Sequence, residues 1–290
     1  MKIHILAVLT ALTILVSAGA QNDSGGRITG EQGKTVLFEV ASDVNKVELT
    51  RNGQIVRDAL VFRRDDRKYA LLALALEDKN GNYKLLLHGT KILEQGFIVL
   101  QGKYKTSRSS GWNTPPPLRG ADAERVAKER AAMQKAYENG LDFPVWLDGS
   151  YRLDGFVFPL QNCCAQSNIS SPFGQIRIGT KRSSVSRRHR GIDLRAPEGT
   201  PIFSVARGRV AYVGKHFLDG GITIIDHGAG VFSLYLHQSS TEVSAGDFVA
   251  KGDRIGRVGK TGIASGPNLH LEIRIDGTHV SPLDFIELFQ

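Results

Sequence analysis

A histidine and an aspartate stand four positions apart in the stretch His189-Arg190-Gly191-Ile192-Asp193. On a straight strand their Cα atoms would lie about 13 Å apart. That is too far for both side chains to bind one metal ion at about 2.0–2.2 Å. A bend would bring them together, and Gly191 permits one because glycine has no Cβ. An ordinary surface pair would show the same pattern, so it indicates a metal site only together with further ligands.

A second histidine lies in a stretch that alternates strictly between apolar and polar residues. Residues 268–275 place one set of side chains on an apolar face and the other on a polar face: Leu269, Leu271, Ile273 and Ile275 against Asn268, His270, Glu272 and Arg274. In residues 232–237, Tyr235 and His237 share one predicted face. Imidazole and carboxylate ligands suit Zn²⁺, and three of them leave the open position that a catalytic site needs.

The N-terminal third of the 290-residue chain contains short apolar runs separated by turn residues such as Asn52-Gly53. This spacing is typical of a small antiparallel β-sandwich, and we assign residues 21–100 to an immunoglobulin-like accessory domain. Residues 101–150 predict a linker. Its first part is rich in proline and polar residues, and a helix follows over 121–139, closed by Gly140.

From about residue 151 the chain is cut repeatedly by glycines. The stretch 198–210 resembles the stretch 245–256, which indicates a duplicated strand–turn–strand unit. The predicted fold class is therefore all-β. It comprises the small sandwich, one linker helix and, over residues 151–290, a mostly antiparallel sheet domain with an internal repeat.

The first twenty residues predict an export signal. Lys2 is followed by an apolar run at 5–16 and by the small residues Ala18-Gly19-Ala20. The run is too short to span a bilayer, so we expect no stable membrane span after cleavage and a periplasmic or secreted protein. The adjacent Cys163 and Cys164 can close only a strained ring and are not expected to form a framework disulfide. The sequence leaves open whether they are free, form that strained bond or link to another chain. The sequence leaves the oligomeric state open.

The chain is basic, with 37 Lys and Arg against 29 Asp and Glu. An exported basic protein is expected to meet an anionic surface such as the cell wall, while export argues against nucleic acid as a partner. Arg187 and Arg188 belong to a basic stretch, residues 179–191, that contains no acidic residue. They are candidates for binding substrate carboxylates, although a solvated loop would explain the same charges.

Several motifs in this half occur together in a recognisable order. They are Ser171-Pro172-Phe173-Gly174, the His189 to Asp193 motif, Ala196-Pro197-Glu198-Gly199-Thr200-Pro201-Ile202, Asp226-His227-Gly228-Ala229-Gly230, Tyr235-Leu236-His237, Gly252-Asp253-Arg254-Ile255-Gly256 and Ser265-Gly266-Pro267-Asn268-Leu269-His270. Over roughly residues 155–285 this order resembles the lysostaphin and LytM type of peptidoglycan zinc endopeptidases. The resemblance implies that His189, Asp193 and His270 bind Zn²⁺. It also implies that His237 orients or deprotonates the attacking water or stabilises the tetrahedral intermediate.

One position departs from the pattern of that family. The first histidine of its last His-x-His motif is replaced by Asn268. An amide can hydrogen-bond to an oxyanion, but it cannot take up and return a proton. We therefore place Asn268 in the catalytic group and expect metal binding to be unaffected and turnover to be slower.

The function implied by the resemblance is zinc-dependent hydrolysis of the peptide stems or cross-links of bacterial peptidoglycan. The alternative is a weakly active or non-catalytic wall-binding protein that recruits or activates other wall hydrolases, as the Asn268 departure suggests. A carrier domain of the lipoyl or biotinyl type would also be punctuated by glycines. It has no use for the motif from His189 to Asp193.

Overall fold

The computed structural model describes residues 21–109, 118–147, 154–161, 168–179 and 186–290. Its elements are almost all strands, which confirms the predicted all-β class. The predicted export signal and the pair Cys163 and Cys164 lie outside the described residues. Neither helix in the described ranges is long and apolar enough to cross a lipid bilayer.

The N-terminal sheet has eight strands. They are β1 (Gln21–Asn22), β2 (Ile28–Glu31), β3 (Thr35–Val40), β4 (Lys46–Arg51), β5 (Gln54–Arg64), β6 (Arg67–Ala73), β7 (Gly81–His88) and β8 (Ile92–Leu100). Their order is β1-β2-β8-β7-β4-β5-β6-β3. β5 pairs with β4 over its first half and with β6 over its second half. Phe38 on β3, Leu49 on β4 and Phe97 on β8 are fully buried in one cluster. Strands from both ends of the sheet order contribute to this cluster, so the sheet encloses its own core.

The remaining elements begin with a strand and the predicted helix and continue through the C-terminal part. They are β9 (Thr106–Ser109), α1 (Gly120–Glu138), β10 (Ile169–Ser171), β11 (Ile176–Gly179), β12 (Ser186–Arg188), β13 (Ile192–Arg195), β14 (Pro201–Phe203), β15 (Gly208–His216), β16 (Gly220–Gly228), β17 (Val231–Gln238), β18 (Ser240–Thr241), β19 (Phe248–Val249), β20 (Arg254–Arg257), β21 (Asn268–Ile275), β22 (Thr278–Val280) and α2 (Pro282–Leu288). The main C-terminal sheet has the order β10-β13-β21-β17-β16-β15-β19, with β22 added beside β21.

The repeat predicted from the sequence builds two crossed strand pairs. The first copy supplies β14 and the start of β15, and the second supplies β19 and β20. β14 pairs with β20 and β15 pairs with β19, so the strands of each copy pair with strands of the other copy. This exchange satisfies backbone groups of the three short strands β14, β19 and β20 and of the start of β15 within the domain.

The N-terminal part of the predicted linker is not a free connection. β9 pairs in parallel with β11, whose other neighbour is β12. Tyr104, just before β9, packs edge-on against Phe173, and its hydroxyl donates to the carbonyl of Gln32. The chain leaving the N-terminal sheet is therefore attached to the C-terminal part before α1 begins.

Both sheets contribute to one buried cluster. Leu37, Phe62 and Leu71 of the N-terminal sheet share a core with the apolar residues of the main C-terminal sheet. Phe62 lies edge-on to Trp146, with ring centroids 5.1 Å apart. The backbone N–H of Ser281 also donates to the carbonyl of Gly33 at 2.7 Å. The two parts therefore pack as one body.

The two helices lie at different places on this frame. α1 packs over the outer face of the C-terminal sheet, where Met133 and Tyr137 contact a cluster that includes Phe232 and Leu234. This agrees with the narrow apolar stripe of its sequence. The single linker helix predicted at 121–139 is α1. The second helix, α2, was not predicted. It begins after Ser281, whose side chain accepts from the backbone of Asp284 at 3.5 Å, with Pro282 in its first turn.

Candidate metal centre

The centre is built on two neighbouring antiparallel strands. In the register of β13 and β21, Asp193 lies directly opposite His270, and opposed residues project to the same face of a sheet. His189 precedes β13, and its backbone exchanges hydrogen bonds with Gly174 and Gln175 at 2.8 and 3.0 Å. Three ligand atoms converge as a result: Nε2 of His189, Oδ1 of Asp193 and Nδ1 of His270.

The spacing of these three atoms fits a metal ion. His189 Nε2 lies 3.1 Å from His270 Nδ1 and 3.2 Å from Asp193 Oδ1, and His270 Nδ1 lies 2.7 Å from Asp193 Oδ1. Two ligands at about 2.0–2.1 Å from a tetrahedral ion are about 3.3 Å apart. Two imidazoles and one carboxylate are the donor set that Zn²⁺ accepts, so the residues fit the metal that the sequence predicts.

Gly191 makes this convergence possible. The chain bends at this residue between His189 and β13. A Cβ here would clash with the carbonyl oxygen of Leu271 and would lie 2.8 Å from Nε2 of His270. The glycine is therefore required for a close approach of β21, in addition to allowing the bend expected from the sequence.

Each ligand is held through an atom that does not face the metal position. His189 donates from Nδ1 to the carbonyl of Pro172 at 3.0 Å, which leaves Nε2 with its lone pair. Asp193 accepts from Arg177 at 2.8 Å on Oδ2, which leaves Oδ1 free to face inward. His270 Nε2 lies 3.0 Å from Oε1 of Glu272. These contacts fix ring orientation and tautomer before any metal binds.

The electrostatics of the centre favour a cation. Burial lowers the pKa of His189, so its imidazole is neutral at pH 7. Burial opposes charge on Asp193 as well, but the neighbouring His189 and His270 rings, with His270 donating to the carboxylate, outweigh it and hold the carboxyl pKa well below its usual range. Burial also opposes a charged His270, yet Asp193 and Glu272 raise its pKa to about 10. The negative potential of these two carboxylates, which retains a proton on the His270 ring, also attracts a metal ion that would replace this proton.

His237 reaches the centre by a backbone turn that the alternation of its strand did not predict. Tyr235 is buried in the core, opposite Leu271, whereas Leu236 lies opposite His270 on the face of the metal centre. The prediction that Tyr235 and His237 share a face was wrong. His237 has a φ of 67°, and this left-handed conformation turns its ring to within 6.1 Å of the His270 ring.

The hydrogen bond of His237 defines its chemistry. Its Nδ1 lies 2.9 Å from the carbonyl oxygen of Thr261, which can only accept, so Nδ1 carries the proton and Nε2 has a lone pair. Burial, together with the nearby His270, lowers the pKa of His237. The ring is thus neutral at pH 7 and able to accept a proton in the cleft.

The cleft beside the three ligands has a volume of about 450 Å³. Asn268 lines it, and its side-chain N–H donates to the carbonyl of Gly266 at 2.8 Å, which leaves one N–H and the amide oxygen for a substrate. Arg188 is exposed and lies over the Tyr104 ring at 5.7 Å, and it is not among the described residues that line the cleft. Arg187 lies opposite Arg177 in the pairing of β11 and β12.

Two further histidines, His216 and His279, each lie against an acidic side chain. His279 Nδ1 lies 3.1 Å from Oε2 of Glu272, so this partly buried carboxylate bridges His270 and His279. His216 is 5 % exposed and contacts Tyr212 and Asp219. Sequence reasoning gave no role to Arg195, which lines the cleft two positions after Asp193. The two-residue period of β13 carries the signal that would have found it.

A largely buried His-Asp-His donor set lies in an open cleft, with a neutral histidine beside it, and this arrangement can bind a metal ion and accept a proton from water. Residues 187–282, about a third of the chain, match peptidase family M23, a family of metallopeptidases. The resemblance recognised in the sequence is thereby confirmed.

Relatives with curated names match this same part of the chain. The DD-carboxypeptidase/endopeptidase Mpg of Neisseria meningitidis is 40% identical over 117 residues, which is 40% of this chain and 26% of that protein. The peptidoglycan DD-endopeptidase ShyA of Vibrio cholerae is 36% identical over 115 residues, again 40% of this chain and 26% of that protein. The chain thus matches about a quarter of the length of these relatives.

A solved structure extends the likeness to both sheets. A Pseudomonas aeruginosa protein assigned to peptidase M23 has a TM-score of 0.63 and 26% identity, and the alignment covers 89% of this chain and 95% of that one. The N-terminal sheet and the family domain therefore occur together in another protein.

Proposed function

We propose that this protein is an exported, zinc-dependent endopeptidase that hydrolyses the peptide stems or cross-links of bacterial peptidoglycan. The observation that carries the proposal is the convergence of His189 Nε2, Asp193 Oδ1 and His270 Nδ1 in an open cleft. The names of two relatives supply the substrate class, since Mpg is a DD-carboxypeptidase/endopeptidase and ShyA a peptidoglycan DD-endopeptidase.

His189, Asp193 and His270 would hold the zinc ion. When bound, zinc supplies Lewis-acid chemistry that polarises a peptide carbonyl and increases the acidity of water. The lone pair of His237 Nε2 would accept the proton of the attacking water, because its Nδ1 proton is held by the carbonyl of Thr261. The free N–H of Asn268 would donate to the oxyanion that develops on the carbonyl oxygen.

The surface charge supports the proposed location. The net charge of +8 would attract the carboxylates of a cell wall. Arg187 and Arg188 would contribute to that attraction. An export signal at residues 1–20 would bring the chain to this substrate and away from nucleic acid.

A second candidate function is supported by Asn268. With an amide in place of a proton-transferring group, the cleft could bind wall peptides without efficient turnover. The protein would then recruit or activate other wall hydrolases.

The test measures zinc content and release of soluble fragments from purified sacculi on the same preparation. We expect about one zinc per chain and defined peptide products in mass spectra. His270→Ala should lose both, and His88→Gln, in the N-terminal sheet, should keep both. Stoichiometric zinc with no fragments from any sacculus, and stimulation of a second wall hydrolase, would replace the enzymatic proposal with the regulatory one.

A further inference from the structure

Arg195 carries a positive charge into the cleft that no described residue neutralises. It lies on β13 two positions after Asp193 and directly opposite Asn268 on β21, so it projects to the face of the metal centre. The residue is exposed, and its guanidinium forms no hydrogen bond or ion pair with any residue in the described ranges. Its position is held by the backbone, because its N–H donates to the carbonyl of Asn168 at 2.9 Å.

Arg177, the other arginine among the described residues of the cleft, is bonded to Asp193 and Ser171. Arg177 donates to Oδ2 of Asp193 at 2.8 Å and to the hydroxyl of Ser171 at 2.6 Å. That guanidinium is committed to orienting a metal ligand. Among the described lining residues, Arg195 is therefore the permanent cation available to a ligand.

The cleft continues beyond the metal centre past Arg195. A second depression is lined by Asn168, Ala196 and Pro197 and shares Arg195 and the loop 265–267 with the cleft. Arg195 thus stands where the two depressions meet. A peptide lying along this groove would pass its side chain.

We propose that Arg195 is a specificity-determining residue that binds a carboxylate of the peptide substrate. A guanidinium pairs with a carboxylate through two parallel N–H···O bonds, a geometry that lysine cannot reproduce. The Cα atoms of Asp193 and Arg195 are separated by two residues of strand, about 6.6 Å. The recognised carboxylate therefore lies within about two residues of the cleaved bond. It is either the carboxylate of a side chain or that of the peptide terminus.

This inference rests on the proposed function for its substrate class, and the test separates the two. Short wall-type peptides are prepared in matched forms, with the side-chain carboxylate or the terminal carboxylate converted to an amide. Equilibrium binding is measured by calorimetry and hydrolysis by product analysis, on the full zinc-loaded chain. We expect one of the two amidations to weaken binding and to raise KM by about 10- to 100-fold, the loss of one charge-assisted pair. The amidation that does so identifies the source of the carboxylate.

Substitutions test whether Arg195 is responsible for the preference for the peptide with the free carboxylate. Arg195→Gln should bind acid and amide peptides equally, at the affinity of the wild-type protein for the amide, with zinc content unchanged. Arg195→Lys should restore part of the preference. Arg207→Gln, which removes an exposed arginine that does not line the cleft, should behave as the wild type. Equal binding of acids and amides by the wild type, or no binding, would overturn the inference, as would a preference that survives in Arg195→Gln. A preference for acids without any hydrolysis would uphold it and reject the proposed peptidase.

Discussion

His237 occupies a backbone conformation that costs a non-glycine residue about 1 to 2 kcal/mol. Its φ of 67° is what removes its ring from the core side of β17 and turns it toward the metal centre. Strain of this kind concentrates at functional sites, where the surrounding structure holds it in place. Here the N–H of His237 donates to the carbonyl of Asp219 at 2.9 Å, and its ring is fixed by Thr261.

We predict that His237→Ala keeps its zinc and loses hydrolysis. The substitution removes a proton acceptor beside the centre and none of the three ligand atoms. A general base contributes about 10² to 10⁴ in rate, so the loss should be of that order. Zinc content and product release measured on the same sample check this. If the metal were lost with the imidazole, His237 would be a ligand.

Asn268 allows the complementary change. Asn268→His should raise turnover by up to about 10² to 10⁴, because the new imidazole would share the face of His270 and could transfer protons. The measurement is kcat on a defined wall peptide, with zinc content as the control. Lower activity with zinc retained would contradict this prediction, and would show that the oxyanion contact of the amide is worth more than a second proton-transferring group.

At the residue scale the sequence predicted three side chains that the structure brings together, and it mispredicted some of their surroundings. His189 and Asp193 lie about 80 residues before His270, and only the order of motifs connected them. The alternation rule failed at His237 because it assumes a continuous extended backbone. His279 was not predicted to lie near the centre because nothing in its local sequence shows that Glu272 lies against it.

Among the elements, α1 does more than cover the sheet. Glu129 accepts the backbone N–H of Phe217 with both carboxylate oxygens, at 3.0 and 3.1 Å, and pairs with Arg125 at 2.8 Å. The loop after Phe217 contains Asp219, whose carbonyl accepts from His237 and whose side chain lines the cleft. The helix therefore supports the loop that holds His237.

We predict that Glu129→Ala lowers the free energy of unfolding by about 1 to 3 kcal/mol, since it leaves a backbone donor without its charged acceptor. Hydrolysis should fall several-fold as His237 loses its support, and zinc should stay bound. Glu124→Ala, an exposed acid on the same helix, is the matched control and should be neutral. Equal stability of the two variants in denaturant unfolding would show that the contact contributes nothing.

The elements that the sequence predicted were those with a local signature. The sequence repeat predicted the four strands. It did not predict that β14 pairs with β20 and β15 with β19. The polar, proline-rich character of residues 101–120 concealed β9, because a strand added to an edge needs backbone pairing and little apolar surface. α2 had an N-cap serine and a proline as its signals, and both were available in the sequence.

For the whole molecule, one buried histidine should govern stability in acid. His227 is fully buried, lies 2.7 Å from both the carbonyl of Arg207 and the hydroxyl of Ser233, and burial lowers its pKa to about 4. The unfolded chain has the ordinary histidine pKa of about 6.5 and so binds more protons between pH 6.5 and 4. The contribution of the neutral, buried His227 to the free energy of unfolding is fully present above pH 6.5 and is lost as the pH falls toward 4.

We predict that this histidine removes about 3 kcal/mol of unfolding free energy across that window. Denaturant unfolding of the wild type and of His227→Gln at pH 7.5 and pH 4.5 measures it. The variant should be less stable at pH 7.5, where it lacks the native hydrogen bonds, and should change less between the two pH values. Equal pH dependence in both proteins would contradict the assignment.

The shared core between the two sheets fixes the distance between the N-terminal sheet and the cleft. Phe62 and Trp146 pack against each other, Ser281 is bonded to Gly33, and β9 is paired with β11, so the N-terminal sheet cannot swing relative to the cleft without exposing apolar surface and breaking backbone bonds. Anything held by the N-terminal sheet lies at a constant distance and angle from His270. On a long polymer, the place of attachment would then dictate the place of cutting.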